Sequence, residues 1–155
     1  MGGEPSPDEL LAHEDALQFR RFDNDTAWAL GQALVAAARE RGAAVTVDIR
    51  RGEQQLFHAA LPGTAADNDA WIERKNRVVR RFGHSSFYVG SLLREEDLSI
   101  EQKFLLDERR CAAHGGAFPV IVRDVGVVGT VTVSGLPQAE DHRLVVEVLR
   151  EFLGA

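Results

Sequence analysis

From Val45 to Arg50 the chain alternates, with Val45, Val47 and Ile49 set against Thr46, Asp48 and Arg50. That period of two predicts a strand with one buried and one wetter face. Arg51-Gly52-Glu53 makes a turn and EQQLFHAAL returns, which completes a hairpin. FPVIVR and VVGTVTVSG repeat the design across Asp124-Val125-Gly126. Between and around these hairpins the period is helical. Ser6-Pro7-Asp8-Glu9 supplies a serine cap, a proline at the first helical position and a glutamate three residues after the cap, so a short helix runs to about Ala16. Ala27, Leu30, Gly31, Leu34, Val35 and Ala38 recur at helical spacing, after a cap at Asn24 or Asp25 and before a stop at Gly42. Asp67 to Asp69 put negative charge at the start of a third helix that stops at Gly83, and Ser85 or Ser86 can cap the helix that follows. Ser99-Ile100-Glu101-Gln102 is a second capping box. The last helix, from about Gln138, carries Leu144, Val145, Val148, Leu149, Phe152 and Leu153 on one stripe. LQFRRFD, Leu17 to Asp23, reads as a short strand whose arginines suit a sheet edge.

Two hairpins and one strand predict an α+β fold, with a five-stranded, mostly antiparallel sheet and flanking helices. One domain over 1–155 is expected, with Met1 to Pro5 as a loose tail.

Composition narrows the partners. A net charge of -6 in 155 residues argues against non-specific nucleic-acid binding. The single cysteine, Cys111, allows neither an intrachain disulfide nor a cysteine-based zinc site. The polar N-terminus and the absence of a long apolar run predict a cytoplasmic protein that does not meet the membrane. His13, His58, His84, His114 and His142 show no metal-binding spacing, so no metal site is expected.

ERKNRVVRRFGHSS, Glu73 to Ser86, holds the sharpest candidate. On a helical wheel Trp71, Ile72, Val78, Val79 and Phe82 share an apolar stripe, while Arg74, Arg77 and Arg81 share a neighbouring polar face. Those arginines read as a solvated face, and Arg80 and Arg81 suit the helix C-terminus. Lys75 falls inside the apolar stripe, where an ammonium must snorkel, pair or hold an anion. Asp48 is its expected partner if it pairs. His114, Gly115 and Gly116 in HGGAFP offer close backbone approach to a ligand, or a tight loop. Ser134 and Gly135 in SGLPQAEDH lead into a helix N-terminus that suits an anion, with Asp141 as a favourable first-turn charge in the alternative.

AAHGGAFPVIVRDVGVVGTVTVSGLPQAEDHRLVVEVL resembles the C-terminal half of the haem-degrading-domain superfamily of HbpS-like and GlcG-like proteins. VTVDIRRGEQQLFHAALPGTAADNDAWIERKNRVVRRFGHSS is similar to one uncharacterised bacterial and fungal subfamily of it. Together the matches span Leu17 to Leu153. The resemblance implies a profilin-like domain that forms closed homo-oligomers, dimers or higher, and relatives that bind haem or another tetrapyrrole. It also matches Lys75, Gly115, Gly116, Ser134 and Gly135 to family positions. No residue of this N-terminus takes the place of the better-studied members' haem ligand, and His13 lies nearest in order. Three functions are in contention. The first is an oligomeric ligand-binding protein for haem or a small organic anion, its pocket lined by Lys75, His84, His114, Gly115, Gly116 and Ser134. The others are a small enzyme acting on haem or an organic acid, and an oligomeric scaffold.

Overall fold

A computed structural model of the chain describes residues 3–155; of the expected tail, Met1 and Gly2 lie outside the described residues. Local acceptors start most of the helices. Ser6 accepts from the Glu9 amide at 3.2 Å and opens α1 (Pro7–Ala16). Asp23 takes the capping position expected of Asn24 or Asp25: it accepts from the Thr26 amide at 2.8 Å and opens α2 (Asn24–Glu40). After the hairpin of β1 (Thr46–Arg51) and β2 (Gln54–Ala60) comes α3 (Ala66–Phe82), which ends at Gly83 with φ 70. Ser85 caps α4 (Ser86–Glu96), and Ser99 with Gln102 forms the capping box of α5 (Ile100–Phe104). The second hairpin, β3 (Ala117–Val122) and β4 (Gly126–Ser134), leads into α6 (Gln138–Leu153).

The fold is α+β, with six helices and four strands among the described residues. The strands form one antiparallel sheet in the order β2-β1-β4-β3, with Val47 opposite Ala59 on one side and Val133 on the other. The fifth strand expected over Leu17 to Asp23 does not form. Leu17 is spent closing α1, its amide bonding the His13 carbonyl at 3.0 Å, and Asp23 is spent capping α2. Only Phe19 is left to reach the sheet, through a single parallel bridge to Val122.

Alternation along the strands divides the buried residues into two sets. Val45, Val47, Ile49, Phe118, Val120, Val131 and Val133 pack against Leu30, Leu34, Leu144 and Leu149 of α2 and α6. The opposite face, expected to be wetter, is covered by α3 instead: Thr46, Asp48, Thr130, Thr132 and Ser134 are all buried. A smaller apolar cluster, including Val78, Val89, Leu93 and Ile100, joins α3 to α4 and α5.

Candidate functional site

A polar row buried under a helix calls for partners, because each unpaired polar group costs on the order of 1–3 kcal/mol. Asn76 supplies most of the match. Its amide donates to Asp48 Oδ2 at 3.1 Å, and its carbonyl accepts from the Thr132 hydroxyl. Arg50 and Gln55 complete the shell of Asp48, with Arg50 Nε at 3.0 Å and Gln55 Nε2 at 2.7 Å. With its oxygens engaged by these three side chains, Asp48 is not the partner of Lys75.

That partner is Asp141, in the first turn of α6. Lys75 points inward as the wheel predicted and is 3% exposed. Its Nζ donates to Asp141 Oδ2 at 3.1 Å and to the Val133 carbonyl at 3.2 Å. Asp141 Oδ1 accepts from the Leu136 amide at 3.0 Å. An internal carboxylate therefore occupies the strand-to-helix turn that was a candidate for an external one. Burial pulls Lys75 below the usual lysine range and pushes Asp141 above the usual carboxylate range. Their mutual contact opposes both shifts and favours the ionised pair.

Gly116 makes room for this pair. A Cβ there would lie 2.6 Å from Lys75 Nζ and 2.5 Å from the Val133 carbonyl oxygen, and its φ of +134 disfavours any side chain. Gly115 lies against α6, its amide held by Gln138 Oε1 at 2.9 Å.

Above the pair opens a cleft of about 270 Å³, lined among others by Asn68, Trp71, Lys75, His114, Ser134 and Gly135. Lysine carries three N–H donors and two have protein acceptors here, so one remains for the cleft. His114 packs on Trp71 with ring centroids 5.2 Å apart. Partial burial, then Lys75, Arg74 and Arg94, hold its pKa below the usual histidine value, so the ring is neutral at pH 7. His114 and Gln138 also line an adjoining cleft of about 370 Å³ with an apolar wall of Leu93, Leu98 and Ile100.

Of the residues singled out in the sequence, Lys75, His114, Ser134 and Gly135 meet at the cleft and Gly116 sits behind the lysine. His84 does not join them; it bonds Glu14 at 2.7 Å and stacks on Tyr88 at the far end of α3. Trp71, Asn68 and Gln138 were not marked as site residues: Trp71 read as core, and Asn68 and Gln138 as helix starts. Cys111 is buried. Among the described residues no cluster of three metal-binding side chains occurs, and no helix is long and apolar enough to cross a membrane.

Not every buried polar atom is matched: the Thr46 and Thr130 hydroxyls of the row have no partner among the described residues, and one residue of α6 goes further. His142, beside Asp141, is buried among Phe87, Phe118 and His13, and neither ring nitrogen has a partner among the described residues. Burial, then His13 and Arg143, lower its pKa to about 3.

A model of the family described as "Haem degrading protein HbpS-like" matches residues 22–150. The chain is 61% identical over 150 residues to a UPF0303 protein of Streptomyces coelicolor, covering 97% of this chain and 95% of that one. Among solved structures it is similar to the Ybr137w protein, with a TM-score of 0.89 and 35% identity over 96% of this chain and 87% of that one. The PduOC:haem complex shares the fold, with a TM-score of 0.69 and 14% identity over 83% of this chain and 92% of that one.

Proposed function

The chain belongs to the HbpS-like haem-degrading family, and from that premise we propose that it is a ligand-binding protein whose Lys75 cleft receives a carboxylate. The observation that carries this reading is the unused N–H of a buried lysine that lines a cleft. A carboxylate on that donor would also meet the Ser134 hydroxyl and the neutral His114 ring, and Trp71 offers a flat apolar wall for the rest of the ligand. The volume of about 270 Å³ lies just below the usual range of roughly 300–1,000 Å³ for ligand pockets and suits a small organic acid. A tetrapyrrole would place one propionate at Lys75 and extend over His114 into the adjoining cleft. The haem-bound relative and the apolar wall beyond His114 support that version.

Calorimetry against short-chain carboxylates, beside a haemin titration followed at the Soret band, separates the two sources. Saturable binding that weakens at least tenfold in Ser134→Ala or His114→Ala supports the cleft. No binding of either class overturns the reading. We infer further that the chain forms a closed homo-oligomer. Trp28 on α2, 57% exposed and packed edge-on against Phe57, supports a covered surface there. Native mass spectrometry that finds only monomer would refute this.

A further inference from the structure

Three arginines that the Lys75 cleft does not use gather on the outer side of α3. Arg77 and Arg81 lie one helical turn apart, and Arg110 arrives from the loop after α5. Arg77 Nη1 donates to the Arg110 carbonyl at 3.0 Å, a bond that brings the two elements together. With Leu106, Asp107 and Cys111 the three line a depression of about 270 Å³.

Its charge is unbalanced. The one carboxylate in the lining, Asp107, is already engaged by Arg109. It accepts from the Arg109 amide at 2.8 Å and from the guanidinium at 3.1 Å on each oxygen. Among the described residues no carboxylate oxygen lies within 4.0 Å of a side-chain nitrogen of Arg77, Arg81 or Arg110. Like charges four residues apart on a helix repel, and Arg110 adds a third cation from a separate element. In a chain with 24 acidic and 18 basic residues, partners for these cations are not scarce, yet none is placed here.

We propose that this depression is a second anion site, built for a phosphoryl group. Three guanidinium forks offer more donors than the two oxygens of a carboxylate can use. A phosphate monoester or inorganic phosphate supplies three or four oxygens and close to two negative charges. The favourable place at the helix C-terminus accounts for Arg80, which stands outside the depression, but a solvated face does not account for the tie between Arg77 and Arg110.

The test is calorimetry of the full chain against inorganic phosphate and adenosine monophosphate, at ionic strength held constant with chloride. Saturable binding is expected, weakened about tenfold or more in Arg81→Gln and in Arg110→Gln, both exposed residues whose replacement leaves the core intact. Arg80→Gln should change the affinity by less than about twofold. Tighter binding of the nucleotide identifies a phosphorylated metabolite as the source, and equal affinities identify the free ion. The proposal is overturned if no saturable heat appears at millimolar phosphate. It is overturned equally if Arg80→Gln weakens binding as much as Arg110→Gln, because a diffuse positive field then suffices.

Discussion

On one face of the sheet Val47, Ile49, Val131 and Val133 meet Leu30, Leu34, Leu144 and Leu149. On the other, Thr46, Asp48 and Thr132 lie under a helix that presents Lys75 and Asn76. Both layers are closed to water, so exposure does not distinguish them. Their energetics do. Each buried aliphatic side chain contributes roughly 1.5–3 kcal/mol without directional demands. A hydrogen bond on the polar side returns only about 1 kcal/mol net, yet losing one partner exposes the desolvation cost of the other. The apolar layer thus supplies stability, and the polar layer fixes where α3 rests. Since α3 carries Asn68, Trp71 and Lys75, that placement sets the cleft.

The largest effect should come from dividing the buried ion pair. Lys75→Met strands the Asp141 carboxylate and should cost about 4 kcal/mol in urea unfolding at pH 7. Adding Asp141→Leu removes the stranded charge and should recover most of that loss. A single variant that loses under about 1 kcal/mol would erase the distinction between the faces. Next comes Leu34→Ala on the apolar side, expected to cost about 3 kcal/mol while leaving cleft affinity unchanged. Asn76→Leu should cost less, about 2 kcal/mol, but should weaken cleft binding as well, because it loosens α3 from Asp48 and Thr132.

The smallest change at neutral pH belongs to His142→Leu, expected within about 1 kcal/mol of the parent because neither ring nitrogen is bonded. Its signature lies in the acid limb. The unfolded chain protonates this ring near pH 6.5 and the folded chain only near about 3. Between those values the unfolded state holds more protons. Stability is therefore fully present above pH 6.5 and declines as pH falls toward 3, by up to about 1.4 kcal/mol per pH unit. Chemical denaturation across that window should show a shallower decline in the variant.

The sequence revealed what is decided within a few residues. Ser6, Gly83 and Ser99 start or stop helices through bonds three or four positions away, and all three do so here. The inward aim of Lys75 was likewise readable from its place on one helix. Its partner was not, since Asp141 lies 66 positions on, and the nearer Asp48 is matched by Asn76, Arg50 and Gln55. The buried state of Thr46 and Asp48 escaped for the same reason: alternation marks two faces, but only the docking of α3 decides that the polar one is covered. His84 follows Lys75 closely in sequence, yet it lies nine positions on, past the end of α3, and pairs with Glu14. The five-stranded sheet failed because neighbouring helices claimed both ends of Leu17 to Asp23.

The lone bridge at Phe19 still has an effect beyond its size. Along the outer margin of β3, the Ser86 hydroxyl accepts from the Ala117 amide at 3.1 Å, Pro119 has no amide to offer, and Phe19 bonds the Ile121 carbonyl at 2.7 Å and the Arg123 amide at 2.9 Å. That margin is sealed against a further strand, whereas β2 at the opposite margin has no strand beyond it among the described residues. Any sheet extension between molecules would therefore have to use the β2 margin. An antiparallel junction of β2 with β2 would use both available margins and end at two subunits.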